Sequence, residues 1–386
     1  MHSSIYKLRL TALLTALLLI LPALPGLAEA DAFAGGEGTA DSPWQIATAQ
    51  QLDQVRNHLD AHFVLVADID LAEYANWQPI GAFTPLSDAP EHAEVPLPDV
   101  AFTGSFDGGG HVISHLTVSA PEAMAVGLFG CVTGSADGQS FLRNLILSDV
   151  DVTGAYLVGG AIGLQYQNFA VDSITLTGDN HLQGCQGIGG IVGTGFELAI
   201  ENCAASADIA VLGDDGGFAG IVVGGTTGGS LIDCTATGGS ITAEGDRACA
   251  IGGVCGAPYA ATDISGCRAE GVTLTVSGAD GSFIGGIAGF AGTYAPEAPT
   301  TFAGDAVENV AIAVSDSARY VGGILGGGWP QGETTSAFAL ENCAASGQIT
   351  GGASHVGSAV GNPDGAQAVD CTGSMGEGLP LTGSAQ

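Results

Sequence analysis

Asp107 and His111 are the acid and the imidazole whose types and spacing best fit general acid–base chemistry in this chain. Gly108, Gly109 and Gly110 lie between them, which is typical of a tight turn. A turn of this kind favours a structural role for both side chains. No histidine recurs beside a column of carboxylates, so we expect no catalytic residue.

Calcium is the one cofactor that the sequence leaves open. Asp68 and Asp70 share one face of a predicted strand, and Asp214 and Asp215 are adjacent. Carboxylate oxygens are the ligands that Ca²⁺ prefers. Solvated acidic loops are nevertheless the default in a chain with 40 Asp and Glu against 7 Lys and Arg. We therefore predict no metal site and no cofactor.

The chain contains nine cysteines, an odd number for a secreted protein. Cys203, Cys234 and Cys267 recur on consecutive repeats, and Cys343 and Cys371 form another adjacent pair. Stacked strands would place neighbouring Cα atoms near the lower end of the disulfide range, so bridges remain open. A ladder of buried thiols is the favoured interpretation, because cysteine is a good small core residue.

The first thirty residues are typical of a secretory signal peptide. Lys7 and Arg9 precede a run rich in Leu and Ala, and a small-x-small pattern predicts cleavage after Ala30. Glycine interrupts every later hydrophobic run, so none is long enough to span a bilayer. We predict an extracellular protein, secreted or attached to the cell wall, with no membrane insertion after signal removal.

The formal charge of the chain is −33, and no lysine follows residue 30. Little is present to neutralise phosphate groups, so nucleic acid and anionic membranes are excluded as partners. Cationic partners, divalent ions and neutral glycans remain.

Two short motifs alternate along the chain about every thirty residues, which indicates a solenoid of stacked units. The second motif is glycine-rich, as in Val158-Gly159-Gly160. The first is an aliphatic residue, a variable residue, a turn-forming residue and then Leu, Ile, Val or Cys. Asn, Asp and Gly predominate at its third position, and they tolerate a left-handed backbone at least cost. That position holds His115, Asn144, Ser173, Asn202, Asp233, Gly266, Asn309, Asn342 and Asp370.

The pattern predicts an all-β fold, a solenoid of parallel strands with about nine coils and a length of roughly 40 Å. Thr48 to Gln51 form a capping box, and Leu52, Val55 and Leu59 follow at helical spacing, so we predict one helix over 48–60. This segment would cover the open end of the solenoid. The predicted parts are a signal peptide (1–30), an N-terminal cap (31–100), the repeats (101–374) and a C-terminal tail (375–386).

Several segments resemble the GLUG-motif family of secreted bacterial repeat proteins. They are Gly36–Ile46, Asp68–Leu71, Trp77–Gly81, Phe102–His111, Val126–Gly130 and Val158–Gly163. The resemblance implies a right-handed parallel β-helix on a cell surface, often in adhesin-like proteins. Similar repeats precede the catalytic domain of immunoglobulin-A1 metallopeptidases. No His-Glu-x-x-His occurs in this chain, so the resemblance does not extend to proteolysis.

The C-terminal tail is similar to a sortase sorting signal. Its matching residues are Leu379, Pro380, Thr382 and Gly383, with Leu381 at the variable position. The apolar span and basic tail of such a signal do not follow in the sequence given. Either the sequence is truncated just past the motif, which the position of the motif favours and which would fit cell-wall attachment, or the match is accidental.

Aromatic side chains lie between each glycine-rich motif and the next turn motif, where stacked loops would follow one side of a solenoid. Tyr166, Tyr259, Tyr294 and Trp329 are the candidate ligand-binding residues among them, with local packing as the alternative role. The expected partner is a glycan or a host or bacterial surface protein.

We predict a non-enzymatic, adhesin-like scaffold on these grounds. The alternatives are a polysaccharide-active lyase or hydrolase and a purely structural stalk. Many glycan-active enzymes are β-helices, but their chemistry requires converging carboxylates or a basic residue facing a bound metal. The five arginines after residue 30 fall in different columns of the repeat, which favours a binding protein.

Overall fold

The structure is a computed structural model, and it confirms an all-β solenoid of parallel strands with one short helix. The residues that it describes are 33–82, 100–135, 138–212, 216–245, 249–277, 282–292, 299–315, 318–328, 338–362, 366–376 and 384–385. The signal peptide with Ala30, and the sorting motif at Leu379, Pro380, Thr382 and Gly383, lie outside them. No helix in the described part of the chain is long and apolar enough to cross a bilayer.

One coil contains four strand segments, which we name a, b, c and d. In the coil that begins at Val158 they are Val158–Gly159, Ile162–Gln165, Ala170–Thr177 and His181–Gly184. Each segment pairs in parallel with its counterpart in the next coil, as Val158 pairs with Ile188. The backbone hydrogen bonds of one coil are therefore satisfied by its two neighbours, which is how a solenoid is held together.

The a and b segments form the corner that carries the glycine-rich motif. The a segments are Val158–Gly159, Ile188–Gly189, Phe218–Gly220, Ala250–Gly252, Phe283–Gly285, Tyr320–Gly322 and His355–Gly357, with Ser384–Ala385 antiparallel to the last. The b segments are Phe129–Val132, Ile162–Gln165, Ala288–Phe290, Leu325–Gly327 and the first parts of Val192–Glu201, Val223–Ile232 and Cys255–Ser265. A Cβ at Gly159 would overlap the carbonyl oxygen of Ile162, so the corner requires glycine.

The c and d segments complete each coil. The c segments are Trp44–Ile46, His62–Leu65, Ile69–Asp70, Ser105–Asp107, Val112–Ser114, Phe141–Ser148, Ala170–Thr177, Ala204–Ala205, Thr235–Thr237, Arg268–Glu270, Thr300–Ala303, Phe338–Glu341, Ala366–Val369, Thr372–Ser374 and the later parts of the three long b strands. The d segments are Thr117–Ala120, Asp151–Gly154, His181–Gly184, Asp208–Val211, Ser240–Glu244 and Thr273–Ser277. In the last coils one strand runs through both, namely Ala306–Val314 and Ala344–Gly351.

The solenoid has about seven coils, so the prediction of nine was too high. Seven a segments pair in parallel, from Val158 to His355. Before them, Val126 forms a single bridge to Val158 instead of a strand. After them, no parallel a segment follows Asp370 among the residues that the structure describes. Counting turn motifs included an incomplete coil at each end.

Backbone torsions confirm the left-handed turns. All nine residues predicted at the third motif position have φ between 51° and 57°, or 65° at Gly266. They do not, however, form one column. Ser114 pairs with Ser148, which places His115 beside Asp149 instead of Asn144. Two left-handed turns flank the same part of each coil and prefer the same residue types, so the motif alone cannot separate them.

The same correction applies near the C-terminus. Ala303 pairs with Ser265, so Gly304 (φ 67°) is the residue that stacks beside Gly266. Glu308 pairs with Glu270, so Asn309 belongs to the second turn. The first turn column therefore runs Asn144, Ser173, Asn202, Asp233, Gly266, Gly304, Asn342 and Asp370.

The helix lies at the N-terminal end, as predicted, and covers Ala49–Gln54 with a 3₁₀ turn at Val55–Asn57. The Thr48 side chain accepts a hydrogen bond from the Gln51 N–H, and the Gln51 side chain accepts one from the Ala47 N–H. Leu52 and Val55 are fully buried against the first coils. The helix stops short of the predicted residue 60. Ile46 and its strand neighbours continue the c column, so this end is joined to the sheet.

Candidate functional site

The d segments build a continuous polar face along the solenoid. Side chains alternate along each segment, so Val152, Leu182 and Ile209 are buried while their neighbours point outward. The strand register aligns the outward residues in two rows, which we call the polar strip. The first row is Thr117, Asp151, His181, Asp208, Ser240, Thr273, Ala311 and Gln348, and the second is Ser119, Thr153, Gln183, Ala210, Thr242, Thr275, Ala313 and Thr350.

A groove of about 350 Å³ lies on this strip. Its polar lining is Asp151, His181, Gln183, Asp208, Ser240 and Thr242. The Ser240 hydroxyl donates to Asp208 Oδ1 at 2.7 Å, which orients that carboxylate. The Gln183 amide donates to Thr153 Oγ1 at 2.8 Å in the same way. These contacts lie within the plane of the strip and leave further donor and acceptor capacity for a ligand.

The strip presents carboxylates, an imidazole, an amide and hydroxyls without any lysine or arginine. His181 lies between Asp151 and Asp208 in the first row, and its Nε2 contacts Asp179 Oδ1 at 3.2 Å. The His181 side chain is 55% exposed. A catalytic acid requires a pocket that holds its proton at neutral pH, whereas these two carboxylates lie on an open sheet face. The arrangement fits recognition of hydroxyl groups better than acid catalysis.

The structure does not join the Asp107 and His111 side chains, which the sequence had suggested as an acid–base pair. Arg143 Nε donates to Asp107 Oδ2 at 2.8 Å, and Asn144 and the Gly109 N–H donate to Oδ1. Burial opposes ionisation of Asp107, but these hydrogen bonds outweigh it and lower its pKa. His111 instead contacts Asp68 Oδ1 at 3.0 Å. The aspartate therefore fixes the turn at 108–110 and ties it to Arg143 on the paired strand of the next coil.

The two aspartates considered for calcium are each paired with an imidazole. Asp68 accepts from the Val112 N–H and from His111, and these two bonds lower its pKa. Asp70 contacts His115 at 2.9 Å and accepts from a backbone N–H, with the same effect on its pKa. No group of three or more His, Cys, Asp or Glu among the described residues is placed to hold a metal ion. Asp214 and Asp215 lie outside that part of the chain.

The candidate aromatic residues stack between coils. Tyr166 is 5% exposed, and its ring lies 5.2 Å from the Phe196 ring in a stacked arrangement. Burial and the neighbouring Cys131 raise the pKa of Tyr166 to about 12. Tyr259 stacks on Phe290 at 6.1 Å and is half-buried. Packing between coils explains the positions of the Tyr166 and Tyr259 rings. That they bind a ligand stays a prediction. Tyr294 and Trp329 lie outside the described residues.

Five of the nine cysteines lie in one interior column instead of two. The residues that follow them pair in register, as Arg268 pairs with Ala306 and Ala306 pairs with Ala344. The column therefore reads Cys203, Cys234, Cys267, Asp305, Cys343 and Cys371. The structure has all nine cysteines as free thiols, and the five in this column are buried. Hydrogen bonding to Cys234, together with burial, raises the pKa of Cys267.

Asp305 occupies the gap in this ladder and was missed in the sequence. It is 1% exposed; its Oδ1 accepts from the Cys267 N–H at 2.8 Å, and its Oδ2 has no hydrogen-bond partner. Burial raises the pKa of Asp305 to about 8, helped by the charge of Asp263. Its signal was hidden because Asn309, four residues later, fitted the turn motif of this coil. The polar strip was missed as well, although its alternation is visible once the d segments are aligned.

Comparison with known proteins gives partial matches. No protein-family model matches the chain, so membership of the GLUG-motif family stays a prediction. Halomucin from Haloquadratum walsbyi is 32% identical over 163 residues, which are 41% of this chain and 2% of halomucin. A “Putative Gly-rich membrane protein” from Evansella cellulosilytica is 36% identical over 151 residues, 36% of this chain and 15% of that protein. The chain thus spans only a small part of the length of either relative.

A solved structure matches a larger part of this chain. The crystal structure of a “putative immunoglobulin A1 protease” from Bacteroides ovatus has a TM-score of 0.50 with this chain at 20% identity. The match covers 83% of this chain and 80% of that one. At this identity the likeness establishes the fold, a β-solenoid of stacked parallel coils, and nothing about activity.

Proposed function

We propose that this protein is a non-enzymatic, adhesin-like scaffold on the cell surface, and that its polar strip binds a glycan or a surface protein. The observation that carries the proposal is the groove at Asp151, His181, Gln183 and Asp208, on a rigid parallel sheet. A sheet face holds side chains at fixed spacing, so a partner meets a preorganised surface. The strip contains no lysine or arginine, which leaves neutral or cationic partners.

The location on the surface is supported by the sequence and by the names of the matched relatives. Residues 1–30 are typical of a secretory signal, and the 379–383 segment is similar to a sortase motif that would attach the chain to the wall. One matched relative is named halomucin, and another is named as a membrane protein. A long, rigid solenoid suits display of a binding face away from the cell.

We propose the absence of enzymatic activity from the partners and the surroundings of the carboxylates. The partners of Asp107, Asp68 and Asp70 are an arginine and two histidines in turn or strand positions. Asp151 and Asp208 are exposed on either side of His181, in a shallow groove on an open sheet face. Acid catalysis on a glycosidic bond requires one carboxyl kept protonated by its surroundings. These groups fit hydrogen bonding to a ligand instead.

A glycan array combined with a pull-down from cell-surface extracts tests the proposal. The purified chain from residue 31 is compared with the double variant Gln183→Ala/Asp208→Ala. We expect retained ligands for the parent protein and their loss in the variant. The matched control is Glu201→Ala, an exposed acid on a c segment. Equal loss in both variants, or retention in both, would show that the strip is not the binding surface.

A further inference from the structure

We propose that the polar strip binds an extended, neutral polysaccharide that lies parallel to the solenoid axis. This inference rests on the proposed function and specifies its ligand class and orientation. It follows from the periodicity, the chemistry and the limits of the strip.

The periodicity comes from the strand register. Each coil contributes one outward residue to each row, so functional groups repeat at the spacing of stacked strands, about 4.8 Å. Asp151, His181 and Asp208 follow one another in this way in the first row. A linear polysaccharide in an extended form presents hydroxyl groups at intervals of similar length, one set for each sugar unit. The strand spacing and the sugar spacing match along the bound segment only when the polysaccharide lies parallel to the solenoid axis.

The chemistry of the strip disfavours an acidic polymer and suits the hydroxyl groups of a neutral one. Carboxylate and amide oxygens accept hydrogen bonds from hydroxyl pairs, and the threonine and serine hydroxyls both donate and accept. Asp151 and Asp208 would repel a uronic acid or sulfate, and no arginine or lysine on the strip offsets that repulsion. The net charge of −33 adds to this repulsion over the whole surface.

The limits of the strip set the length of the bound segment. Both rows are polar or hydrogen-bonding from the Thr117 segment to the Thr273 segment, with Ala210 as the one gap. In the next coil both outward residues are alanines, Ala311 and Ala313. The polar run therefore covers six strands, or five intervals of about 4.8 Å, which is roughly 24 Å. A segment of about five or six sugar units would fill it.

Calorimetric titration with neutral oligosaccharides of increasing length tests the inference. The probes are β-1,4-linked gluco-, manno- and xylo-oligosaccharides of two to eight units, with oligogalacturonates as acidic and chitosan oligomers as cationic comparisons. We expect one neutral series to bind, with affinity rising up to five or six units and then constant. Affinity that is independent of length, preference for the acidic or cationic series, or no binding by any neutral series would overturn it.

Two matched threonine variants locate the ligand. Thr242 is exposed in the second row of the strip, and Thr227 is exposed on a long strand beside Phe196 and Tyr259. We expect Thr242→Arg to weaken binding by about tenfold or more and Thr227→Arg to leave it unchanged. The reverse result would place the ligand at the Phe196 and Tyr259 rings and end this inference, while the scaffold function would stand. Capture of a protein partner without any neutral glycan would also end this inference and leave the scaffold function standing.

Discussion

Replacing Asp305 by asparagine isolates the energetic effect of a carboxyl group buried in the thiol ladder. The introduced side chain would keep an oxygen to accept the hydrogen bond from the Cys267 N–H, and it has no ionisable group. We expect the Asp305→Asn variant to be more stable than the parent protein at neutral pH. We expect this advantage to shrink steadily as the pH falls from 8 towards 4.

The sign follows from proton binding. The pKa of Asp305 is raised from 3.8 to about 8 in the folded chain. Between these values the folded protein holds a proton that the unfolded chain has released, so raising the pH favours unfolding. The free energy of unfolding therefore falls by about 1.4 kcal/mol for each pH unit in this window. At pH 7 the accumulated loss is about 4 kcal/mol; it grows further up to about pH 8 and is constant above that.

Urea unfolding followed by circular dichroism at pH 4.5, 5.5, 6.5 and 7.5, with a thiol reductant present, measures this difference. The introduced amide adds donors that lack partners, and this offset is the same at every pH. The slope of the stability difference against pH is therefore the diagnostic quantity. Hydrogen exchange of the Ala306–Val314 strand reports whether the local coils open first, as a solenoid allows.

Asp208→Asn is the control, because it removes the same charge from an exposed position. It should not reproduce the slope expected for Asp305→Asn. If Asp305→Asn and the parent protein give parallel stability curves from pH 4.5 to 7.5, Asp305 is ionised in the folded chain. The argument from its burial would then be wrong.

Three further outcomes are expected. Asn202→Val should lower stability by about 1–2 kcal/mol, measured by urea unfolding, because φ at this turn is 54°, whereas Asn202→Gly should be close to neutral. A thiol reagent at pH 8 should modify Cys185 first, because it is only partly buried, and should reach all nine cysteines only in denaturant; rapid native modification of Cys131, whose pKa burial raises to about 12, would contradict the packed interior. Purified protein should release no products from neutral or acidic polysaccharides, with or without calcium, and reducing-end release that Asp107→Ala abolishes would disprove the non-enzymatic proposal.

Local chemistry made much of the architecture predictable. The capping box at Thr48 and the apolar spacing of Leu52 and Val55 depend on neighbours within one helical turn, so they identified the helix. The left-handed turns were found for the same reason, because Asn, Asp and Gly accept positive φ wherever they lie. The glycine-rich corners follow from close backbone approach within one coil, as at Gly159.

The number of coils and the residues that stack in each column were harder to predict from the sequence, because both depend on the register between coils. Loops of different length separate the motifs, so a fixed spacing does not identify which turns stack. Asn309 fitted the motif, yet pairing between strands places Gly304 in that column and Asn309 in the next. The same shift conceals Asp305 beside Cys267. A register slip of a few residues changes every interior neighbour.

The sequence by itself determined the parallel solenoid, its turns, its end helix and the acidic, lysine-poor surface, because each arises from residue type and local spacing. Only the tertiary structure decided which side chains lie side by side. It separated Asp107 from His111, placed a carboxyl in the thiol ladder and aligned Asp151, His181 and Asp208 across three coils. Those neighbours are about thirty residues apart in the chain, and hydrogen bonding between coils, rather than any local preference, brings them together.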